Sequence, residues 1–239
     1  MKKGEKMATY FCSDLHGQYY SFCRLLDKIS FSAGDTMYVL GDFIDKGKNS
    51  LRLAALLMET DGVKALLGNH EYYFLRYYSY CVSEYAARRI DDFWQKMGEY
   101  FPEDADKSRL SDIADYIETL PYYYETDKFI CVHAGLKLDE NGAIIPMSEQ
   151  DENYMLFDRH FKEPYVQPIG KTVLFGHTPC SHENGDGRFI KTLKRGKMSG
   201  EKLTDYAKIR LDTGAASTGM AGCLRQEDMR EFYVKSDNS

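Results

Sequence analysis

The chain has 239 residues, of which 43% are hydrophobic, and it carries a formal net charge of -6 at pH 7. This length and apolar content suit one α/β domain with room for an insertion, and they argue against a disordered chain. The acidic balance, without a block of like charges, argues against general affinity for nucleic acid through a basic face. Since no run approaches the ~20 apolar residues that cross a bilayer, we expect a soluble, cytoplasmic protein without a membrane partner.

Six short apolar runs each end abruptly in small and polar residues, which predicts six β-strands. These strand ends fall at Asp14, Asp42, Asn69, His133, His177 and Asp212. Apolar residues at helical spacing follow the first two runs, from Phe22 to Ile29 and from Leu51 to Met58. This β-α-β-α-β order predicts a largely parallel sheet, whose ligands collect at the carboxyl ends of the strands.

From Tyr72 to about Leu120 the apolar pattern is helical, with a break at Pro102. We interpret this segment as a helical cap inserted into a single domain that spans residues 1–239. One helical face is marked by Ala86, Ala87, Ile90, Phe93, Trp94 and Met97. Such aromatic stripes belong to a core more often than to a substrate pocket, so no role is assigned to them.

Strands return after Pro121. The stretch YYYETDKFICVHAG predicts a hairpin that turns at Thr126 to Lys128, and a helix is expected over Asp151 to Phe161. A second, mixed sheet is predicted from the short apolar runs around Thr172, Phe189, Ile209, Leu224 and Phe232.

The polar residues at the strand ends are of types that bind metals. They are Asp14, His16, Asp42, Asn69, His133 and His177. Carboxylate, imidazole and amide oxygen form a mixed set of hard and borderline ligands. Such a set suits Mn, Fe, Zn or Mg and differs from a soft thiolate site. A bridging carboxylate from Asp42 would hold two metals roughly 3.5 to 4 Å apart, as two-metal hydrolases require.

Each of these residues also has an ordinary structural interpretation. An isolated Asp after a strand is commonly an N-cap or a turn former, and a lone His is commonly a core or surface residue. Against this, four of the six histidines lie at strand ends with Gly within two residues, namely His16, His70, His133 and His177. This coincidence favours a shared site.

Five motifs occur in chain order: DLHG from Asp14, GDFIDKG around Asp42, GNHE from Gly68, VHAG at His133 and GHT at His177. This set resembles the signature of the phosphoprotein phosphatase family of dinuclear metallophosphoesterases. That family includes serine/threonine protein phosphatases and symmetrical diadenosine tetraphosphate hydrolases. The resemblance implies an α/β fold, an αββα sandwich of two mixed sheets flanked by helices, with the site in a cleft at the strand ends.

The resemblance also implies two divalent metal ions, for which Mn is the first choice. The first metal would be bound by Asp14, His16 and Asp42, and the second by Asp42, Asn69, His133 and His177. A hydroxide that bridges the metals would attack phosphorus directly, without a covalent phosphoenzyme. His70 is adjacent to Asn69 and is not itself assigned to a metal, so it is the candidate general acid for the leaving group, and Asp45 resembles the family's residue that orients this imidazole.

The sequence departs from the family pattern at two places. Lys46 stands where the family has an Arg that clamps the phosphoryl group in a bidentate way, and Lys48 could share that role. A second phosphate contact would come from Arg159 in MLFDRHF, although a solvated helix Arg fits that stretch almost as well. In VHAG, Ala134 replaces the usual Gly, which matters if its φ is positive. Asp212 could orient a ligand or serve as a turn residue.

Three functions are compatible with these residues. The favoured one is hydrolysis of phosphate monoesters on phosphoserine or phosphothreonine proteins or on small esters. The alternative is a symmetrical bis(5'-nucleosyl)-tetraphosphatase, which would use the same metals. An inactive binding module is the third, but competent residues at all six metal positions and at His70 argue against it.

Overall fold

The structure is a computed structural model that describes residues 7–86, 90–101 and 108–235. Within these ranges the strands are Thr9–Cys12 (β1), Thr36–Val39 (β2), Val63–Ala65 (β3), Tyr123–Glu125 (β4), Phe129–Val132 (β5), Thr172–Phe175 (β6), Ile190–Leu193 (β7), Tyr206–Arg210 (β8), Met220–Arg225 (β9) and Glu231–Lys235 (β10). The α-helices are Tyr19–Ile29 (α1), Ser50–Glu59 (α2), Asn69–Cys81 (α3), Ile90–Tyr100 (α4), Leu110–Glu118 (α5), Glu152–Phe157 (α6), Ser181–Asn184 (α7) and Ala215–Thr218 (α8). Short turns of π-helix at Val82–Ala86 and of 3-10 helix at Met147–Glu149 and Leu203–Asp205 complete the helical elements.

The first sheet has the strand order β10-β9-β1-β2-β3. Its strands β1, β2 and β3 are parallel, as the sequence predicts. Helices α1 and α2 connect them and bury the residues that the helical spacing had marked, such as Phe22 and Leu53. The strand ends predicted at Asp14, Asp42 and Asn69 therefore lie together at the carboxyl edge of this sheet.

One sheet assignment made from the sequence is wrong. The runs around Leu224 and Phe232 were expected in the second sheet, but they form β9 and β10 of the first. Strand β9 pairs antiparallel with β1, with Phe11 opposite Leu224. Without this pairing, the edge of β1 away from β2 would expose unpaired backbone groups, and the β9–β10 hairpin satisfies them. The first sheet is therefore mixed.

The second sheet has the order β4-β5-β6-β8-β7 and is also mixed. Strands β4 and β5 form the predicted hairpin, and β5, β6 and β8 are parallel. The helix expected over Asp151 to Phe161 is shorter, because α6 ends at Phe157. Asp158 is extended there, and its carboxylate accepts a hydrogen bond from Phe161 N at 2.6 Å, which closes a turn in place of a further helical turn.

Alternation along the strands builds the layers of the sandwich. In β1, Phe11 enters the core between the sheets, whereas Tyr10 and Cys12 point to the opposite side, among the helices. Phe129 and Cys131 of β5 meet Phe11 in the core between the sheets. The outer face of the second sheet is a separate core with the following members: Ile130, Val132, Leu136, Met155, Phe161, Val173 and Phe175.

The segment expected to be a helical cap contains α3, α4 and α5. Phe93 and Met97 are buried as the helical spacing predicts, whereas Trp94 is 43% exposed. Ala87 and Pro102 lie outside the described residues, and so do the side chains of Ala86 and Ile90. Among the residues described, no helix has both the length and the apolar character required to cross a bilayer.

Candidate metal centre

The parallel strands of both sheets bring the predicted ligands to one place. Residues that follow β1, β2 and β3 lie at the carboxyl edge of the first sheet, and residues that follow β5 and β6 lie at that of the second. Because the sheets pack face to face through the core that contains Phe11 and Phe129, these two edges meet.

Four of the predicted ligands converge on one point. His133 Nε2 lies 3.5 Å from Asp42 Oδ1 and 3.2 Å from His177 Nδ1. Asn69 Oδ1 lies 3.0 Å from His133 Nε2 and 2.8 Å from His177 Nδ1. These are the four residues that the family resemblance gave to the second metal.

Hydrogen bonding fixes the nitrogen that His133 presents. Its Nδ1 donates to the carbonyl of Leu40 at 2.8 Å, so its Nε2 keeps a lone pair. Burial lowers the pKa of His133, and the ring is neutral at neutral pH. Its lone pair faces the oxygens of Asn69 and Asp42, which are themselves acceptors. Acceptors that converge in this way repel one another unless a cation lies between them, so this donor set fits a divalent metal.

A second group contains His16, Asp42 and His70, whose ligand atoms lie within 4.8 Å of one another. His16 Nδ1 donates to the carbonyl of Ile44 at 3.0 Å, so Nε2 carries the lone pair. Burial lowers the pKa of His16 to about 4, although the carboxylate of Asp42 opposes this shift. His16 Nε2 is 3.8 Å from Asp42 Oδ2. Asp42 belongs to both groups, which is the place expected of a bridging carboxylate.

Asp14 lies outside both groups, although the resemblance makes it a ligand. It is buried, and its Oδ2 accepts hydrogen bonds from Ser13 Oγ at 2.5 Å and from His177 N at 3.0 Å. Burial raises its pKa well above the ordinary value, and the nearby carboxylates of Asp212 and Asp42 add to the rise. Asp14 thus joins the end of β1 to the end of β6.

His70 and Asp45 form the pair that the resemblance implied. His70 Nδ1 lies 2.8 Å from Asp45 Oδ2, and His70 Nε2 lies 3.8 Å from Asp42 Oδ2. Asp45 therefore engages one nitrogen and leaves the other directed at the centre. Asp45 Oδ2 also accepts a hydrogen bond from Tyr100 Oη at 3.1 Å, a contact that the sequence gave no means to foresee.

Glu71 has a larger role than the sequence indicated. Its carboxylate is fully buried and accepts hydrogen bonds from four backbone N–H groups. The donors are the amides of Asp42, Phe43, Ile44 and Gly68, at 2.7 to 3.1 Å. Burial and the charge of Asp42 raise the pKa of Glu71 to about 8. Glu71 thereby holds the loop of Asp42 against the start of α3, a role that the GNHE motif alone does not reveal.

Left-handed backbone is concentrated at this centre. Of eight described non-glycine residues with positive φ, six belong to the motifs, and they are Asp14, His16, Asp42, Asp45, Lys46 and His177. Such conformations are costly for L-residues and persist where the surroundings enforce them, typically at functional sites. Gly68 is also required by space, because a Cβ there would lie 2.3 Å from Asp42 Oδ1.

The two predicted phosphate-binding residues differ in position. Lys46 Nζ donates to His16 Nε2 at 2.8 Å, so its charge reaches the centre directly. Arg159 is exposed and lies two residues beyond α6, not within a helix. Its charge is close enough to act on His177: burial, His133 and Arg159 together lower the pKa of His177 to about 3.

Ala134 and Asp212 both have ordinary structural roles. Ala134 does not have a positive φ, so the replacement of the family's Gly causes no strain there. It is buried and its N–H donates to the carbonyl of Met155 at 2.8 Å. Asp212 is buried, and its Oδ1 accepts from Gly214 N at 2.7 Å, which is the turn-forming role.

Comparison with known sequences agrees with this geometry. The family described as calcineurin-like phosphoesterase matches residues 7–203. The symmetrical bis(5'-nucleosyl)-tetraphosphatase of Nitrosomonas europaea is 33% identical over 132 residues, which cover 54% of this chain and 45% of that relative. The protein of the same name from Dechloromonas aromatica is 33% identical over 135 residues, covering 54% of this chain and 44% of the relative. The matched part is thus less than half of the length of these relatives.

Solved structures share the fold. A crystal structure of a candidate diadenosine tetraphosphatase superposes with a TM-score of 0.65 at 19% identity, covering 99% of this chain and 96% of the other. A protein serine/threonine phosphatase from Saccharomyces cerevisiae superposes with a TM-score of 0.52 at 14% identity, covering 100% of this chain and 82% of the other. The predicted sandwich of two mixed sheets is therefore confirmed. Because the family match extends over residues 7–203 of the 239, this protein belongs to the calcineurin-like phosphoesterases.

Proposed function

We propose that this protein hydrolyses symmetrical dinucleoside tetraphosphates such as diadenosine tetraphosphate. The observation that carries the proposal is the name shared by relatives at 33% identity, symmetrical bis(5'-nucleosyl)-tetraphosphatase. The sequence alone favoured phosphoprotein substrates and kept this activity as the alternative, and the relatives support the alternative. The likeness to a serine/threonine phosphatase, at 14% identity, bears on the fold and gives no support to a protein substrate.

Two divalent cations would fit the donor set. Asp42, Asn69, His133 and His177 would hold one, and Asp14 and His16 would hold the other together with Asp42. When bound, such cations supply a nucleophile at neutral pH and compensate charge on the phosphoryl oxygens. Mn, Fe, Zn and Mg are all compatible with oxygen and imidazole donors, so Mn stays a prediction.

The chain's own residues would perform the remaining steps. His70 Nε2 faces the centre and would donate a proton to the departing phosphate oxygen, while Asp45 holds Nδ1 at 2.8 Å. Lys46 would place a single positive charge beside the phosphoryl group, without the planar fork of an Arg. Arg159, which is exposed and whose charge acts on His177, would contact substrate beside that residue.

The proposal is tested by offering the protein, loaded in turn with Mn, Fe, Zn or Mg, diadenosine tetraphosphate beside phosphoserine and phosphothreonine peptides. We expect two molecules of ADP from each dinucleotide, resolved by chromatography, and little phosphate from the peptides. The result AMP plus ATP would contradict symmetrical cleavage. Phosphate release from the peptides with intact dinucleotide would instead favour the protein phosphatase.

A further inference from the structure

A cavity of about 660 Å³ adjoins the candidate metal centre. Residues that line it come from the segment after His16 and from the loop that carries Lys46, and they are Gly17, Gln18, Tyr19, Tyr20, Ser21, Arg24, Lys46, Gly47, Lys48, Asn49 and Ala216. Lys46 connects the cavity to the centre, since its Nζ contacts His16 Nε2 at 2.8 Å. A ligand phosphate beside His16 could therefore continue into this space, whose volume suits one nucleotide.

The charge of the cavity favours an anion. Three cationic residues line it, Arg24, Lys46 and Lys48, and the lining residues named above include no Asp or Glu. This contrasts with the chain as a whole, which has 37 acidic residues against 31 Lys and Arg. An acidic protein that binds a polyphosphate must concentrate positive charge locally, and this cavity does so.

An aromatic side chain is held at the same cavity. Tyr20 is 56% exposed, and its ring packs edge-to-face on Tyr19 with centroids 5.2 Å apart. Arg52 lies over Tyr19 at 4.2 Å and donates to Tyr20 Oη at 3.0 Å, which fixes the pair. A fixed and exposed ring beside cations is suited to stack on a nucleobase, with the phosphates on the cations.

We propose that this cavity binds the nucleoside diphosphate part of the substrate that lies beyond the cleaved bond, with its base on Tyr20 and its phosphates near Lys46 and Lys48. The proposal rests on the dinucleotide activity proposed above and specifies where one half of the substrate lies.

Tyr20→Ala and Lys48→Ala test it, with Tyr165→Ala and Lys128→Ala as controls. Tyr165 is 71% exposed but lines a different cavity, and Lys128 is an exposed lysine in the β4–β5 turn. With the metal-loaded enzyme, kcat/KM is measured for diadenosine tetraphosphate and for p-nitrophenyl phosphate. We expect kcat/KM for the dinucleotide, divided by kcat/KM for p-nitrophenyl phosphate, to fall about tenfold in each test variant. The fall should come from a higher KM for the dinucleotide, because stacking or a phosphate contact is lost. Equal ratios in test and control variants would overturn the proposal.

Different measurements show whether the proposed nucleotide site or the proposed dinucleotide activity is wrong. If the wild-type enzyme cleaves p-nitrophenyl phosphate but not the dinucleotide, the activity proposal fails. ADP is then tested as a competitive inhibitor of p-nitrophenyl phosphate hydrolysis. Weaker inhibition of Tyr20→Ala than of Tyr165→Ala would support the cavity as a nucleotide site, and equal inhibition would exclude it.

Tyr100, which lies at the end of α4 in the helical insertion, contacts the carboxylate of Asp45. One carboxylate oxygen, Asp45 Oδ2, accepts from Tyr100 Oη at 3.1 Å and lies 2.8 Å from His70 Nδ1. The ring of Tyr100 is itself fixed by stacking on Tyr77, with centroids 5.1 Å apart. The insertion therefore contacts the residue that orients the general acid.

We infer that Tyr100 is a positioning residue, which holds Asp45 so that His70 Nε2 faces the leaving group. The inference rests on the acid role proposed for His70. Tyr100→Phe removes the hydroxyl and keeps the ring, and Tyr77→Phe is the matched control from the same aromatic stack. Activity is measured with an alkyl phosphate, whose leaving group needs a proton, and with p-nitrophenyl phosphate, whose leaving group does not.

We expect Tyr100→Phe to lower kcat for the alkyl ester about fivefold to tenfold relative to kcat for the aryl ester, with KM unchanged, because a hydrogen bond to a charged acceptor is lost. Tyr77→Phe should keep the wild-type ratio. An equal fall for both esters, or the same ratio in the two variants, would show that Tyr100 is merely structural.

Discussion

Asp42→Asn is expected to abolish turnover and metal retention together. Asp42 stands in both ligand groups, with Oδ1 3.5 Å from His133 Nε2 and Oδ2 3.8 Å from His16 Nε2. The substitution removes the negative charge that two cations would share, and it replaces one of the two carboxylate oxygens by an NH2 group, which cannot coordinate. Metal content by elemental analysis and kcat for the dinucleotide are measured on the same preparation.

The matched control is Asp35→Asn, a buried carboxylate that lies just before β2. Asp42 follows the same strand at its other end, so the control makes the same chemical change away from the centre. Circular dichroism verifies that both variants fold. Should Asp42→Asn retain both metals and full turnover, its bridging role would have to be abandoned.

His70→Asn is expected to lower kcat for an alkyl phosphate by about 10²- to 10⁴-fold while both metals stay bound, since that is the usual contribution of acid catalysis. His70 stands beside Asn69, a proposed ligand, but its Nδ1 is engaged by Asp45 at 2.8 Å. The loss should be largest for an alkyl phosphate and smallest for p-nitrophenyl phosphate, because the aryl oxide leaves without a proton.

His182→Asn, at an exposed histidine, serves as the control for this substitution. Elemental analysis separates the two roles that His70 could have, because its imidazole also lies within ligand distance of His16 and Asp42. Loss of one metal equivalent from His70→Asn would identify a ligand in place of an acid. An unchanged kcat for the alkyl ester would contradict both roles.

Much of the fold could be predicted because each strand ends in a local signal. The runs before Asp14, Asp42 and His177 are short, apolar and interrupted by Gly or a polar residue, and each one is a strand. The sheet to which β9 and β10 belong could not be predicted in this way. Pairing of Phe11 with Leu224 joins distant parts of the chain, and nothing in either run specifies the partner.

The residue types of the centre could be predicted from the sequence, but the residues that hold them in position could not. Residues of metal-binding types stand at the strand ends in the sequence, and three of them, Asp42, Asn69 and His177, lie around His133. In contrast, Glu71 and Tyr100 act through contacts that depend on tertiary packing. Each belongs to a helix whose sequence suits helix formation whatever its side chains bind, and so the pattern alone gives no sign of the backbone amides or of Asp45.

The contacts that assemble the centre join residues far apart along the chain. Leu40 and His133 are separated by 93 residues, Asn69 and His177 by 108, and Asp14 and His177 by 163. Contacts of this range incur loop-closure entropy before they contribute stability, so we expect them to form late in folding. A growing chain therefore cannot assemble the complete donor set until the segment with His177 has emerged and docked. Cations that bind only this finished arrangement would then stabilise the folded state over earlier, partly folded ones.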